Sequence, residues 1–184
     1  KVIGIDVSRT HAFSDGLSAG ELEGMTAMLG KKWTSRFKKA EALPLQLIAA
    51  RLPEEEVVFG KMNELVHSLI ARMFSNEVIT PGVTRTDDLV WWWRQQVNDL
   101  GLGTWFQPSV SIQRRGATGA TLGENPVIQP GDVLHCDVGI TAMRLNTDTQ
   151  HMAYVLLPGE TEAPAGLTAA LKRSNQLQDI VMEE

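Results

Sequence analysis

The sequence Gln129-Pro130-Gly131-Asp132-Val133-Leu134-His135-Cys136-Asp137-Val138-Gly139 is followed, after a short connection, by Asn146-Thr147-Asp148-Thr149-Gln150. Gln129 to Asp132 carries the proline, glycine and aspartate of a turn. Val133 to Ile140 then reads as a strand, and Gln150 to Leu157 as another that ends at Pro158 and Gly159. Two strands joined through residues 141–146 bring Asp137 and Asp148 side by side. An aspartate in an apolar strand is costly to bury unless it is hydrogen-bonded or holds a cation. Two roles answer to that. Oxygen ligands of this type suit Mg, Mn or Zn, and a carboxylate spanning two ions is a common device of two-metal hydrolysis. Alternatively, both are turn or edge aspartates that cap backbone amides. Spacing alone leaves the two roles open.

Upstream, the pattern is helical. Pro53 followed by Glu54, Glu55 and Glu56 suits a helix start, because proline loses no hydrogen bond there and carboxylates face the exposed amides. Val58, Met62, Leu65, Val66, Leu69, Ile70 and Met73 recur at spacings of three and four, predicting an amphipathic helix to about Phe74. After the break at Thr80-Pro81-Gly82, Thr86 is the expected N-cap of a second helix. Its buried side carries Leu89, Trp92, Trp93, Val97 and Leu100, and Gly101 ends it. Val2 to Val7 reads as a short strand. Ser18 and Glu21 have capping-box spacing at the start of a helix to Leu29, and a further helix is expected from Leu45. Trp105 to Ile112 is a strand candidate, Arg114 to Glu124 a loop, and Leu167 begins a last helix.

Composition bounds the function classes. The 184 residues are 43% hydrophobic and 21% charged, as in a globular domain, so disordered and fibrous classes drop out. A formal net charge of -5 argues against a general grip on nucleic acid, although Lys31, Lys32, Arg36, Lys38 and Lys39 cluster locally. One cysteine, Cys136, forms no internal disulfide. The apolar run Leu89 to Trp93 is far shorter than the roughly 20 residues of a membrane span. A P-loop and a dinucleotide fingerprint are both absent from the sequence: Gly116, Gly119 and Gly123 lack the lysine and the strand-helix frame. The chain begins at Lys1 without methionine, so trimming or a longer parent is expected. Its compartment stays open, with the cytoplasm preferred.

The stretch Val127 to Gly139, together with Leu145 to Gln150, resembles the first metal-ligand motif of the pita-bread metallopeptidases, the methionine aminopeptidase, aminopeptidase P and prolidase group. Val78-Ile79-Thr80-Pro81-Gly82-Val83-Thr84, Arg51-Leu52-Pro53-Glu54-Glu55 and Trp91-Trp92-Trp93-Arg94 look like the aminopeptidase P and prolidase branch. The resemblance covers about residues 40–160. It implies an α+β fold, half of a pita-bread (creatinase/aminopeptidase-like) domain with helices packed on a mainly antiparallel sheet. On that basis residues 1–40 are expected to be a remnant of an N-terminal region or linker, and 41–184 a truncated N-terminal half of the catalytic domain.

What the resemblance implies about chemistry is a dinuclear centre of Mn, Co or Zn, with Asp137 chelating one ion and Asp148 bridging both. In the family a histidine and two glutamates complete the shell. They have no counterpart after Asp148, where Glu160, Glu162, Glu183 and Glu184 lie in a linker and a chain end. The parent is then expected to be an Xaa-Pro-type peptidase that holds both ions, and the isolated chain, with an incomplete ligand set, to be inactive. The expected partners are a peptide or dipeptide substrate, the missing C-terminal half and a second copy in a homodimer. Family members carry a substrate-contacting histidine upstream of the first aspartate, whereas this chain has Gln107 and no histidine in residues 108–134. Glutamine cannot take up a proton near neutral pH. A non-catalytic interaction module therefore stands as a rival, as does a creatinase-like amidinohydrolase on the same fold.

The remaining candidates have ordinary roles beside functional ones. His135 shares strand parity with Asp137 and either orients a ligand or reaches solvent. His151 is a pocket neighbour or a plain strand histidine. Cys136, of opposite parity, is expected in the core, His67 between core positions of its helix, and His11 in a structural or exposed place. Of Trp91 to Trp93, two should pack inward and one should cover a pocket or an interface.

Overall fold

A computed structural model describes residues 1–183, which form two compact units, Lys1–Glu56 and the described residues from Val57 onward. The first unit thus takes in residues 41–56, which the sequence reading groups with the second. In it β1 (Ile3–Ile5) pairs in parallel with β2 (Phe37–Lys39), joined through a 3-10 turn (Ala12–Ser14), α1 (Ala19–Leu29) and α2 (Lys31–Thr34). The Ser18 hydroxyl accepts from the Glu21 amide, and the Glu21 carboxylate accepts from the Ser18 amide at 2.8 Å, which forms the expected capping box. β2 was not visible in the irregular mixture of basic and aromatic residues. The next helix, α3 (Ala42–Ala49), starts three residues before Leu45, because Pro44 lies in its first turn, where no amide partner is lost. Among the described residues of this unit, only Ser8 and Ser14 are buried. Their hydroxyls donate to the Glu41 carboxylate at 2.6 Å and the Glu41 carbonyl at 2.7 Å.

The second unit holds the apolar core. α4 (Pro53–Met73) runs into it and buries Met62, Val66, Leu69, Ile70 and Met73, following the predicted stripe. α5 (Thr86–Asp99) adds Leu89, Trp93 and Val97 to the same cluster. Its N-cap is Arg85 rather than Thr86. The Asp88 carboxylate accepts the Arg85 amide at 2.7 Å, while the Thr86 hydroxyl turns inward to Asn125 Oδ1, which also accepts the Asp87 amide. A distant asparagine therefore supplies the cap that a local reading assigned to threonine.

The sheet is antiparallel in the order β3 (Ser109–Gln113), β4 (Val133–Val138), β7 (Thr149–Tyr154). β3 starts later than predicted, beyond Pro108, which has no amide to give to a ladder. Leu134, Cys136 and Val138 alternate into the core shared with α4 and α5, leaving His135 and Asp137 on the other face. Between β4 and β7 lies a small hairpin, β5 (Thr141–Ala142) and β6 (Leu145–Asn146), whose two turn residues, Met143 and Arg144, have φ of 51° and 66°. A turn of this hand is normally signalled by Asn-Gly, so Met-Arg concealed it. Within the predicted loop 114–124 there is also one turn of helix, α6 (Gly119–Leu122). α7 (Ala165–Glu183) has no buried residue among those described. No described helix is long and apolar enough to cross a membrane.

The start of β4 is fixed by an ion pair. Asp132 is fully buried and accepts Arg114 Nε and Nη2 at 2.7 and 2.8 Å, as well as the Gln129 amide at 2.7 Å. Arg114 also donates to the Val127 carbonyl at 2.8 Å, tying β3 to the turn that launches β4. Removing one partner leaves a buried carboxylate without its counter-charge. Arg114→Met is therefore expected to lower unfolding free energy by roughly 3 kcal/mol, measured by urea denaturation. A loss near zero contradicts this role.

Candidate functional site

The β4–β7 register sets Asp137 opposite Gln150. Asp148 stands one residue before β7, two positions before Gln150, and its charge acts on Asp137. The fold brings these two sequence-predicted carboxylates together. Asp137 is half-buried and Asp148 exposed. Burial pushes the Asp137 carboxyl upward from its ordinary value of 3.8, the adjacent Asp148 charge adds to this, and His135 opposes it. Asp137 Oδ1 is buried and has no hydrogen-bond partner. A buried carboxylate oxygen with a free lone pair beside a second carboxylate is costly in the metal-free protein, and it is what a divalent cation neutralises. The donor set thus fits a hard cation through these two residues. Among the described residues, no group of three or more His, Cys, Asp or Glu side chains could enclose one.

The flanking groups are polar. His135 Nε2 lies 3.1 Å from Gln150 Oε1, so His135, Asp137 and Gln150 share the face of the sheet opposite the core, with Asp148 near Asp137. Ser109 stands opposite Asp137 on β3. His151 has the other parity. It pairs with Cys136 across the ladder, and its ring meets that of His67 edge-on at 4.8 Å, away from the carboxylates. Burial and the neighbouring His67 lower its pKa. Cys136 is fully buried and its thiol is pushed up to about 11, chiefly by burial, which fits a packing role.

Gln107 precedes β3, and its amide oxygen accepts from the Arg94 guanidinium, which also stacks on Trp91 at 4.9 Å. Trp93 fills the core, Trp92 is half-buried against it with Arg72 over its ring, and Trp91 is exposed. His11 is exposed, with Nδ1 2.8 Å from the Thr10 hydroxyl. Sequence reasoning did not find Trp105. Its indole N–H donates to the Thr147 carbonyl at 2.9 Å, immediately before Asp148. Gly139 leaves room for this bond, since any Cβ there would lie 2.3 Å from that carbonyl oxygen.

No protein-family model matches the sequence, and a comparison with curated proteins gives no match. Solved structures do match. The prolidase from Pyrococcus horikoshii OT3 is similar with a TM-score of 0.59 and 18% identity, over 86% of this chain and 42% of that one. The prolidase from Pyrococcus furiosus is similar with a TM-score of 0.58 and 20% identity, over 87% and 43%. The chain has the α+β fold of part of these prolidases, and it spans less than half of their length.

The raised Asp137 pKa has a sign that can be tested. A carboxyl whose pKa is higher in the folded than in the unfolded state contributes stability at low pH, and this is lost as pH rises through the folded value. Asp137→Asn removes the charge, so in EDTA the variant is expected to melt above the wild type at neutral pH. The difference should close on acidification toward 3.8. Thermal melts across that range check this, and a variant that melts lower at neutral pH contradicts it.

Proposed function

We propose that this chain is the carboxylate-bearing half of an Xaa-Pro-type metallopeptidase, of the aminopeptidase P or prolidase kind, that hydrolyses a peptide bond at a dinuclear centre. The observation that carries the reading is the convergence of Asp137 and Asp148, with one buried Asp137 oxygen unpartnered. Likeness to part of the two Pyrococcus prolidases supports it at the level of fold. In this reading Asp137 and Asp148 would hold the ions, drawn from Mn, Co or Zn. When bound, such ions polarise a scissile carbonyl and activate water.

The chain's own residues have separable tasks. Asp137, fixed in the sheet, would hold an ion from the half-buried side, and Asp148 would hold it from the exposed side. His135, paired with Gln150, lies on the same sheet face as Asp137 and orients polar groups along it. Gln107 is held by Arg94 and serves as a neutral hydrogen-bonding wall rather than a proton donor. The remaining ligands would come from the part of the prolidase-like domain that this chain does not span, and the substrate would be a peptide or dipeptide.

A second reading has its own support. Gln107 in place of a titratable group, with no third ligand among the described residues, also fits a non-catalytic interaction module. Assay separates the two. With Mn2+ and Xaa-Pro dipeptides or longer Xaa-Pro peptides, a polypeptide carrying the remainder of the domain is expected to hydrolyse the prolyl bond, and residues 1–184 alone to show none. Asp148→Asn in the longer form should lower kcat/KM by more than about 100-fold, since loss of a ligand exceeds the usual cost of losing its support. Metal-independent inactivity of the longer form favours the non-catalytic module.

A further inference from the structure

We propose that Trp105 is a positioning residue for Asp148, acting through the Thr147 peptide. The inference rests on the reading of Asp137 and Asp148 as cation ligands. Thr147 is fully buried, and each of its polar groups is occupied. Its amide donates to the Ile140 carbonyl at 3.0 Å, its hydroxyl oxygen accepts the Ile140 amide at 3.0 Å, and its carbonyl accepts the Trp105 indole N–H at 2.9 Å. That carbonyl belongs to the planar peptide unit whose nitrogen is that of Asp148. Its direction therefore sets the plane from which the Asp148 side chain leaves the backbone. Asp148 is exposed, so packing does little to hold it, and the backbone has to fix its approach to Asp137.

The surroundings are built for this bond. A Cβ on Gly139 would lie 2.3 Å from the Thr147 oxygen, 2.7 Å from the Phe106 ring and 3.2 Å from Trp105 Nε1, so glycine leaves the space the indole needs. The segment carrying Trp105 is tied to the same hairpin: the Gly103 amide donates to the Thr141 carbonyl at 3.1 Å, and the Thr141 amide returns a bond to the Gly103 carbonyl at 2.7 Å. Phe106 meets the Trp105 ring edge-to-face at 4.8 Å. With 51% of Trp105 exposed, its anchoring is directional rather than a matter of burial. Residues that orient a metal ligand typically contribute 10- to 100-fold to affinity.

The test is Mn2+ binding by the full chain, followed by the electron paramagnetic resonance of free Mn2+, for wild type, Trp105→Phe, Asp148→Asn and the double variant. Trp105→Phe is expected to weaken binding about tenfold while keeping a single cooperative melting transition, and to add no further loss in the Asp148→Asn background. In the metal-free protein the Asp148 amide resonance is expected to shift in Trp105→Phe. Unchanged Mn2+ affinity, an equal loss in both backgrounds or an unmoved Asp148 amide overturns the positioning role, even where Asp148→Asn abolishes binding. Equal binding by wild type and Asp148→Asn defeats the ligand reading itself, and the positioning role falls with it.

Discussion

Two like charges held together at one end of a strand pair are the constraint around which the second unit is organised. Bringing Asp148 against the half-buried Asp137 opposes folding, and the Asp137 oxygen with no partner adds desolvation that no protein donor offsets. Such an arrangement persists only when the surrounding structure determines it from several sides. Here the core of α4 and α5 fixes the inner face of β4, the Arg114–Asp132 pair fixes where β4 begins, and the hairpin after Val138 fixes where the chain returns. Stability spent at one polar site is recovered in the apolar cluster beneath it, a distribution common at functional sites.

The parts of the fold that depend on periodicity were legible in the sequence. The apolar stripe of α4 and the alternation of β4 follow directly from side-chain geometry, and Cys136 fell on the buried side by parity alone. What stayed hidden depends on contacts between distant residues or on unusual turn chemistry. Asn125 caps α5 from far along the chain, so Thr86 looked like the cap. Met143 and Arg144 adopt a conformation in which glycine and asparagine are the customary residues, so no turn was visible between β5 and β6. The short pairing of β2 with β1 depends on a parallel partner more than thirty residues away.

The candidate site divides in the same way. Residue type and spacing single out Asp137 and Asp148 as a pair, and the Asp148 charge acting on Asp137 puts them near one another. Sequence could not show that one Asp137 oxygen is left without a partner, that His151 turns to the opposite face toward His67, or that Gln107 is engaged by Arg94. Nor could it show Trp105, which enters through a single N–H directed at a backbone carbonyl. The likeness to prolidases extends over less than half of their chains.

The claim that the carboxylate pair is a cation site is tested most directly by diffraction from crystals grown with Zn2+, using its anomalous signal. The account predicts density beside Asp137 Oδ1 at about 2.0–2.2 Å, the usual zinc–carboxylate distance, with Asp148 turned toward the same ion. Anomalous density only at other surface positions, with Asp137 Oδ1 bonded to a protein donor, would contradict it.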